Sequence, residues 1–107
     1  MSEITSPKLQ QLFKMLEREP ADTFLLYGIG MEYKKLAAPQ KAIEYFDRVI
    51  QEDSGYSYAY FQKGQVFEQL GQPERATQAY LDGIAAAKRV GDAHAESELQ
   101  AALEMLS

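Results

Sequence analysis

LYGIGMEYKKLAAPQKAIEYF, residues Leu26–Phe46, sets the architecture because the chain goes on to repeat its pattern. Gly30 recurs as Gly64 and Ala42 as Ala76, each 34 residues later (64 − 30, 76 − 42). At the same offset Tyr33 returns as Phe67, Leu36 as Leu70, Pro39 as Pro73 and Phe46 as Tyr80. Small residues answer small ones, and aromatics answer aromatics. A fixed period of this length marks a unit that cannot bury its apolar face alone and must stack on its neighbours.

Helical signals surround this stretch. Upstream, Ser6-Pro7 predicts a helix start, with Ser as N-cap and Pro at the first helical position. Leu9, Leu12, Phe13 and Leu16 follow at helical spacing, and Pro20 ends the helix, since the residue before proline is driven out of the α region. Adding 34 to Leu9, Leu12 and Leu16 gives Ile43, Phe46 and Ile50, so this helix reads as the second half of a repeat. Asp22 or Thr23 caps the next helix, whose apolar set is Leu26, Ile29, Gly30, Tyr33 and Leu36. Ala37-Ala38 turns the chain, and Pro39 opens a helix with Ala42, Ile43, Phe46, Val49 and Ile50 inside. Asp53-Ser54-Gly55 ends it, with Gly55 expected in the left-handed conformation. Ser57 is the expected N-cap of the following helix, which Gly71 ends. Pro73 opens a helix with Ala76, Tyr80 and Ile84 inside, which AAAKR prolongs by about a turn until Gly91-Asp92 breaks it. The last helix carries Ala95, Leu99, Ala102, Leu103 and Leu106 on one side and Glu96, Gln100 and Glu104 on the other. The expectation is one all-α domain over 1–107. It comprises a flanking helix at 6–19, repeats at 23–56 and 57–90, and a capping helix at 92–106, with Met1–Thr5 a frayed tail.

These residues resemble the tetratricopeptide repeat pattern: an aromatic, two residues, Leu-Gly, two residues, Tyr, then Ala, three residues, an aromatic and Pro. The first unit supplies Leu26, Ile29-Gly30, Tyr33, Ala42 and Phe46; the second supplies Tyr60, Lys63-Gly64, Phe67, Ala76 and Tyr80. Leu26 stands where an aromatic is usual, Lys63 replaces Leu, and Ser54 and Lys88 occupy the Pro place. Lys63 keeps its ammonium wet while its stem packs. The resemblance implies antiparallel helix-turn-helix repeats stacked in a short right-handed superhelix. It also implies a concave groove lined by the first helix of each pair.

Composition narrows the function. Sixteen acidic against 11 basic side chains give a net charge of −5, which repels phosphate backbones and argues against a nucleic-acid partner. The basic pairs Lys34-Lys35 and Lys88-Arg89 are short enough to be solvated helix surface. No cysteine is present, which removes disulfide and thiol chemistry and fits a reducing compartment. Neither a signal-peptide core nor a run approaching the roughly 20 apolar residues of a membrane span is found. The expectation is a cytoplasmic protein that does not contact membrane.

Nothing in the sequence assembles a catalytic, cofactor or metal site. His94 is the single histidine, and zinc takes about four ligands. Glu44, Asp47, Glu52 and Asp53 lack the tight loop and regular spacing of a calcium site and read as a solvated face. No Gly-rich phosphate loop follows a strand. The expectation is therefore a non-enzyme with no cofactor.

By helical spacing, the groove of the first unit is lined by Phe24, Tyr27, Gly28, Met31, Lys34 and Lys35. That of the second is lined by Tyr58, Phe61, Gln62 and Gln65, with Glu68 and Gln69 at its far end. Asp92, Ala95, Glu96 and Leu99 would complete it. Phe24, Tyr27, Met31, Tyr58 and Phe61 are large apolar groups the repeat core does not need. With a basic rim at Lys34 and hydrogen bonds from Gln62 and Gln65, they suit a peptide or protein contact. The alternative is a homodimer that buries the same face. Relatives that hold chaperone C-terminal tails use Lys and Asn, then Asn, then Lys and Arg, across three successive first helices. The matching places here hold Tyr27 and Met31, then Gln62, then Asp92 and Glu96. Acid stands where that clamp needs base, which argues against a chaperone-tail function.

Overall fold

Proline opens three of the six helices among the described residues. In the computed structural model, which describes residues 4–106, Pro7, Pro39 and Pro73 each take the first helical position, where the missing N–H has no intrahelical partner to lose. The helices are α1 (Pro7–Arg18), α2 (Thr23–Lys35), α3 (Pro39–Glu52), α4 (Ser57–Gln69), α5 (Pro73–Val90) and α6 (Ala93–Leu106), with no strand among the described residues. The first three residues of the expected N-terminal tail lie outside that range; Ile4 and Thr5 are non-helical. Ser6 Oγ accepts from the Leu9 amide at 3.1 Å, Asp22 Oδ1 from Leu25 at 3.1 Å and Asp92 Oδ1 from Ala95 at 3.0 Å. Each such cap satisfies an amide the helix leaves unpaired and contributes about 1 kcal/mol.

Two local expectations fail. Ser57 does not cap α4; it is the first helical residue, buried, and its hydroxyl donates to the Gly55 carbonyl at 3.3 Å. Gly55 is not left-handed. Positive φ occurs instead at Gly71 (71°), Gly91 (74°) and, unexpectedly, Ala37 (57°). Gly55 is needed for close approach, since a Cβ there would lie 2.7 Å from Cγ1 of Val90 at the end of α5.

Packing follows the repeat. A Cβ on Gly30 would sit 2.6 Å from the Phe46 ring, and one on Gly64 would sit 2.2 Å from the Tyr80 ring. Glycine therefore lets each aromatic lie directly on the partner helix, and Ala42 and Ala76 are fully buried beside them. One core cluster runs from Leu9 to Val66 and a second from Phe67 to Leu99, with Ile43 and Leu70 touching both. α1 takes part in the core through fully buried Leu9 and half-buried Leu12 and Phe13. Glu32, absent from the expected core, is buried, and its Oε1 accepts from Ser6 Oγ at 3.0 Å. The N-cap of α1 is thereby tied to α2. Lys63, at the usual Leu place, sends its ammonium 2.7 Å from Asp47 Oδ1 on α3.

Each helix contacts the next in the chain. In addition the backbones of α2 and α4, and of α4 and α6, approach one another, whereas among the described residues those of α1, α3 and α5 do not; α1 and α3 meet through side chains, the Phe13 ring lying 5.9 Å from that of Tyr45. Helices crowd on the inner side of a curved stack, so α2, α4 and α6 form the concave row.

Candidate partner-binding groove

The concave row divides into two troughs. Between α2 and α4, Lys34 Nζ donates to Gln62 Oε1 and to Gln65 Oε1, both at 2.6 Å. Burial lowers the pKa of Lys34 below the ordinary lysine value. The Tyr27 ring lies 5.7 Å from that of Phe46 and 5.2 Å from that of Tyr56. Burial raises its hydroxyl pKa, and a hydrogen bond with Gln62 works the other way. Met31 is half-buried against the first core cluster.

Between α4 and α6 lies a hollow of about 370 Å³ lined by Phe61, Gln65, Glu68, Tyr80, Glu98, Ala101, Ala102 and Met105. The Phe61 ring packs 6.1 Å from Tyr80 and 6.5 Å from Tyr58. The Tyr80 hydroxyl donates to Glu68 Oε2 and the Tyr58 hydroxyl to Glu98 Oε1, the latter at 3.1 Å. Burial and the Glu68 carboxylate push the Tyr80 pKa well above the usual tyrosine range. His94 Nε2 lies 2.5 Å from the same Glu98 oxygen. No group of three or more metal-ligating side chains exists among the described residues.

The structure thus joins Tyr27, Lys34, Gln62 and Gln65 through hydrogen bonds and brings Tyr58 against Phe61. Phe24 stands apart. It is 76% exposed and lines a separate depression with Met15, Arg18, Glu19, Asp22 and Leu25, where α1 meets α2. The expected third wall also changes. Ala95 and Leu99 are core residues and Asp92 is a helix cap. The α6 wall is Glu98, Ala101, Ala102 and Met105 instead. The cause is the length of α5, 18 residues against 14 for α3. It delays α6 to Ala93, two residues past the register that α4 sets (57 + 34 = 91). Two residues turn a helix by about half a revolution. The 3–4-residue spacing of 98, 101, 102 and 105 was the available signal.

Three inner helices backed by three outer ones define a helix-pair solenoid. The tetratricopeptide repeat model matches residues 25–56 and 57–89, and the chain belongs to that family. It is 30% identical over 98 residues, 92% of this chain and 93% of the relative, to a TPR repeat-containing protein of Pseudomonas aeruginosa. A protein of known structure from Bordetella parapertussis matches with a TM-score of 0.82 at 26% identity, over 95% of this chain and 89% of that one. A tetratricopeptide repeat domain protein of Salinibacter ruber gives 0.77 at 28% identity, over 82% and 89%. Such repeats generally mediate protein–protein interaction and are generally non-enzymatic scaffolds.

Proposed function

We propose that this protein is a non-enzymatic adaptor whose concave face holds a segment of a partner protein. The observation that carries the reading is the hollow between α4 and α6, walled by Phe61, Ala101, Ala102 and 86%-exposed Met105 on the concave row. Apolar side chains set around a few fixed polar groups are the ordinary makeup of a recognition site. The polar groups are Gln65, held by Lys34, and the two tyrosine-bonded carboxylates. Net negative charge supports a protein over a nucleic-acid or anionic-membrane partner, and absence of cysteine supports a cytoplasmic setting. No described helix is long and apolar enough to cross a membrane.

A photo-crosslinking residue at position 105, on the groove, is compared with one at exposed Leu81 on α5. Partner capture in cells that depends on position 105 and is lost in a Tyr27→Ala/Phe61→Ala variant is the expected result. Equal capture at both positions would defeat the assignment. Exposed Phe24 and Met105 favour a second reading, self-association that buries these groups; a homodimer would show as a concentration-dependent mass.

A further inference from the structure

The two troughs of the concave face differ in sign. The α2 side carries Lys34 and Lys35. The charged lining of the α4–α6 hollow is Glu68 and Glu98, and Lys34 reaches only its edge, at Gln65. From Val90 onward the chain has four acidic residues, Asp92, Glu96, Glu98 and Glu104, and neither Lys nor Arg. His94 is the one other titratable group on α6, and it already sits at Glu98.

Both carboxylates are held in place. Each receives a tyrosine hydroxyl, from Tyr80 at Glu68 and from Tyr58 at Glu98. A phenol donates a hydrogen bond and no charge, so it orients the carboxylate without neutralising it. Fixed acceptors lose little entropy when a cation arrives, and apolar walls raise the strength of the contact. Beside them Phe61, Ala101, Ala102 and Met105 offer an apolar wall, and Met adapts to side chains of varied shape.

We propose, resting on the adaptor reading above, that the hollow takes a partner segment pairing an apolar side chain with a nearby Arg or Lys. The apolar group packs against Phe61 and Met105, and the cation sits between Glu68 and Glu98. This is the converse of a carboxylate clamp.

Random dodecapeptides displayed on phage and selected against the intact chain test the assignment. Enriched peptides should place Arg or Lys within a few residues of Leu, Met or Phe. Binding of a labelled enriched peptide, read by fluorescence anisotropy, should weaken with salt. It should also fall about tenfold or more in Glu68→Gln/Glu98→Gln, a change that keeps acceptors for Tyr80 and Tyr58. Glu98→Lys should shift selection toward acidic peptides. Neutral or acidic peptides that bind wild type and need Phe61 would overturn the cation assignment and leave the adaptor reading standing. No enrichment, or binding indifferent to Phe61→Ala, would overturn both.

Discussion

Phe46 in the first repeat and Tyr80 in the second occupy the same place on a glycine, Gly30 or Gly64, but only Tyr80 brings a hydroxyl into the core. Residue 68, which accepts that hydroxyl, is the period equivalent of Lys34 (34 + 34). Phe46 has no hydroxyl to satisfy, so residue 34 is free to be a lysine and to cross to Gln62 and Gln65. One core exchange, Phe for Tyr, therefore accompanies an inversion of charge on the concave face. The repeats differ in the backbone too. Val49 is fully buried, whereas a Cβ at its equivalent, Gly83, would lie 2.7 Å from the Tyr60 Cβ. α4 and α5 thus approach more closely at this level than α2 and α3 do. The turns share a backbone conformation but not a residue, since Ala37 adopts the positive φ that Gly71 adopts 34 residues later.

The largest expected effect lies at the paired glycines. Gly64→Ala should destabilise by about 2–3 kcal/mol, since the Tyr80 ring must move. Gly30→Ala, with a wider gap to Phe46, should cost about 1–2 kcal/mol, part of each loss being offset by the helix propensity of alanine. Urea denaturation of both variants checks the order, and equal or negligible losses would break the packing comparison.

Next comes the hydroxyl. Glu68→Ala should cost about 1–3 kcal/mol by orphaning it. In Tyr80→Phe, which copies the first repeat, the same substitution should cost little. A double-mutant cycle with no coupling would show that the core residue and the groove charge are independent.

The hydroxyl also has a pH signature. An unperturbed tyrosine ionises near 10.0, and Tyr80 in the fold ionises higher. Between those values the unfolded chain has lost a proton that the native chain keeps, so stability present below pH ~10 is lost as pH rises. The urea midpoint should fall less between about pH 9 and 11 in Tyr80→Phe than in wild type. Lys34 shifts the opposite way but is common to both proteins. Identical slopes would refute the assigned cause.

The smallest effect should be a gain. Ala37→Gly removes left-handed strain of about 1–2 kcal/mol but adds unfolded-state freedom worth about 0.4–1 kcal/mol. The net is a slight rise in thermal midpoint, while Gly71→Ala should lower it. A fall in both would sever the turn comparison.

Wherever one residue type meets one mechanical demand twice, the sequence was readable. Gly30 with Gly64, Phe46 with Tyr80 and the three helix-opening prolines gave the helix pairs and their stacking, and Ser6-Pro7 gave the start of α1. Local rules misled where a residue serves a distant contact: Asp53-Ser54-Gly55 does end α3, yet Gly55 makes room for Val90 instead of turning left-handed. The strain at Ala37 has no signature of its own; its period partner Gly71 was the clue. On the concave face, the expectation of Tyr27, Phe61, Gln62 and Gln65 came from helical spacing combined with the family resemblance. Glu98 and Met105 were not, because the longer α5 changes which side of α6 faces the hollow, and register along a stack is a property of the whole chain.

Light scattering across a wide concentration range tests the openness of the concave face most directly. The expected result is the monomer mass, 12.1 kDa, throughout, with Met105 and the α4–α6 hollow left for a partner. A stable dimer at low concentration that Met105→Glu or Phe61→Ala dissociates would contradict it, placing a second copy where the partner segment belongs.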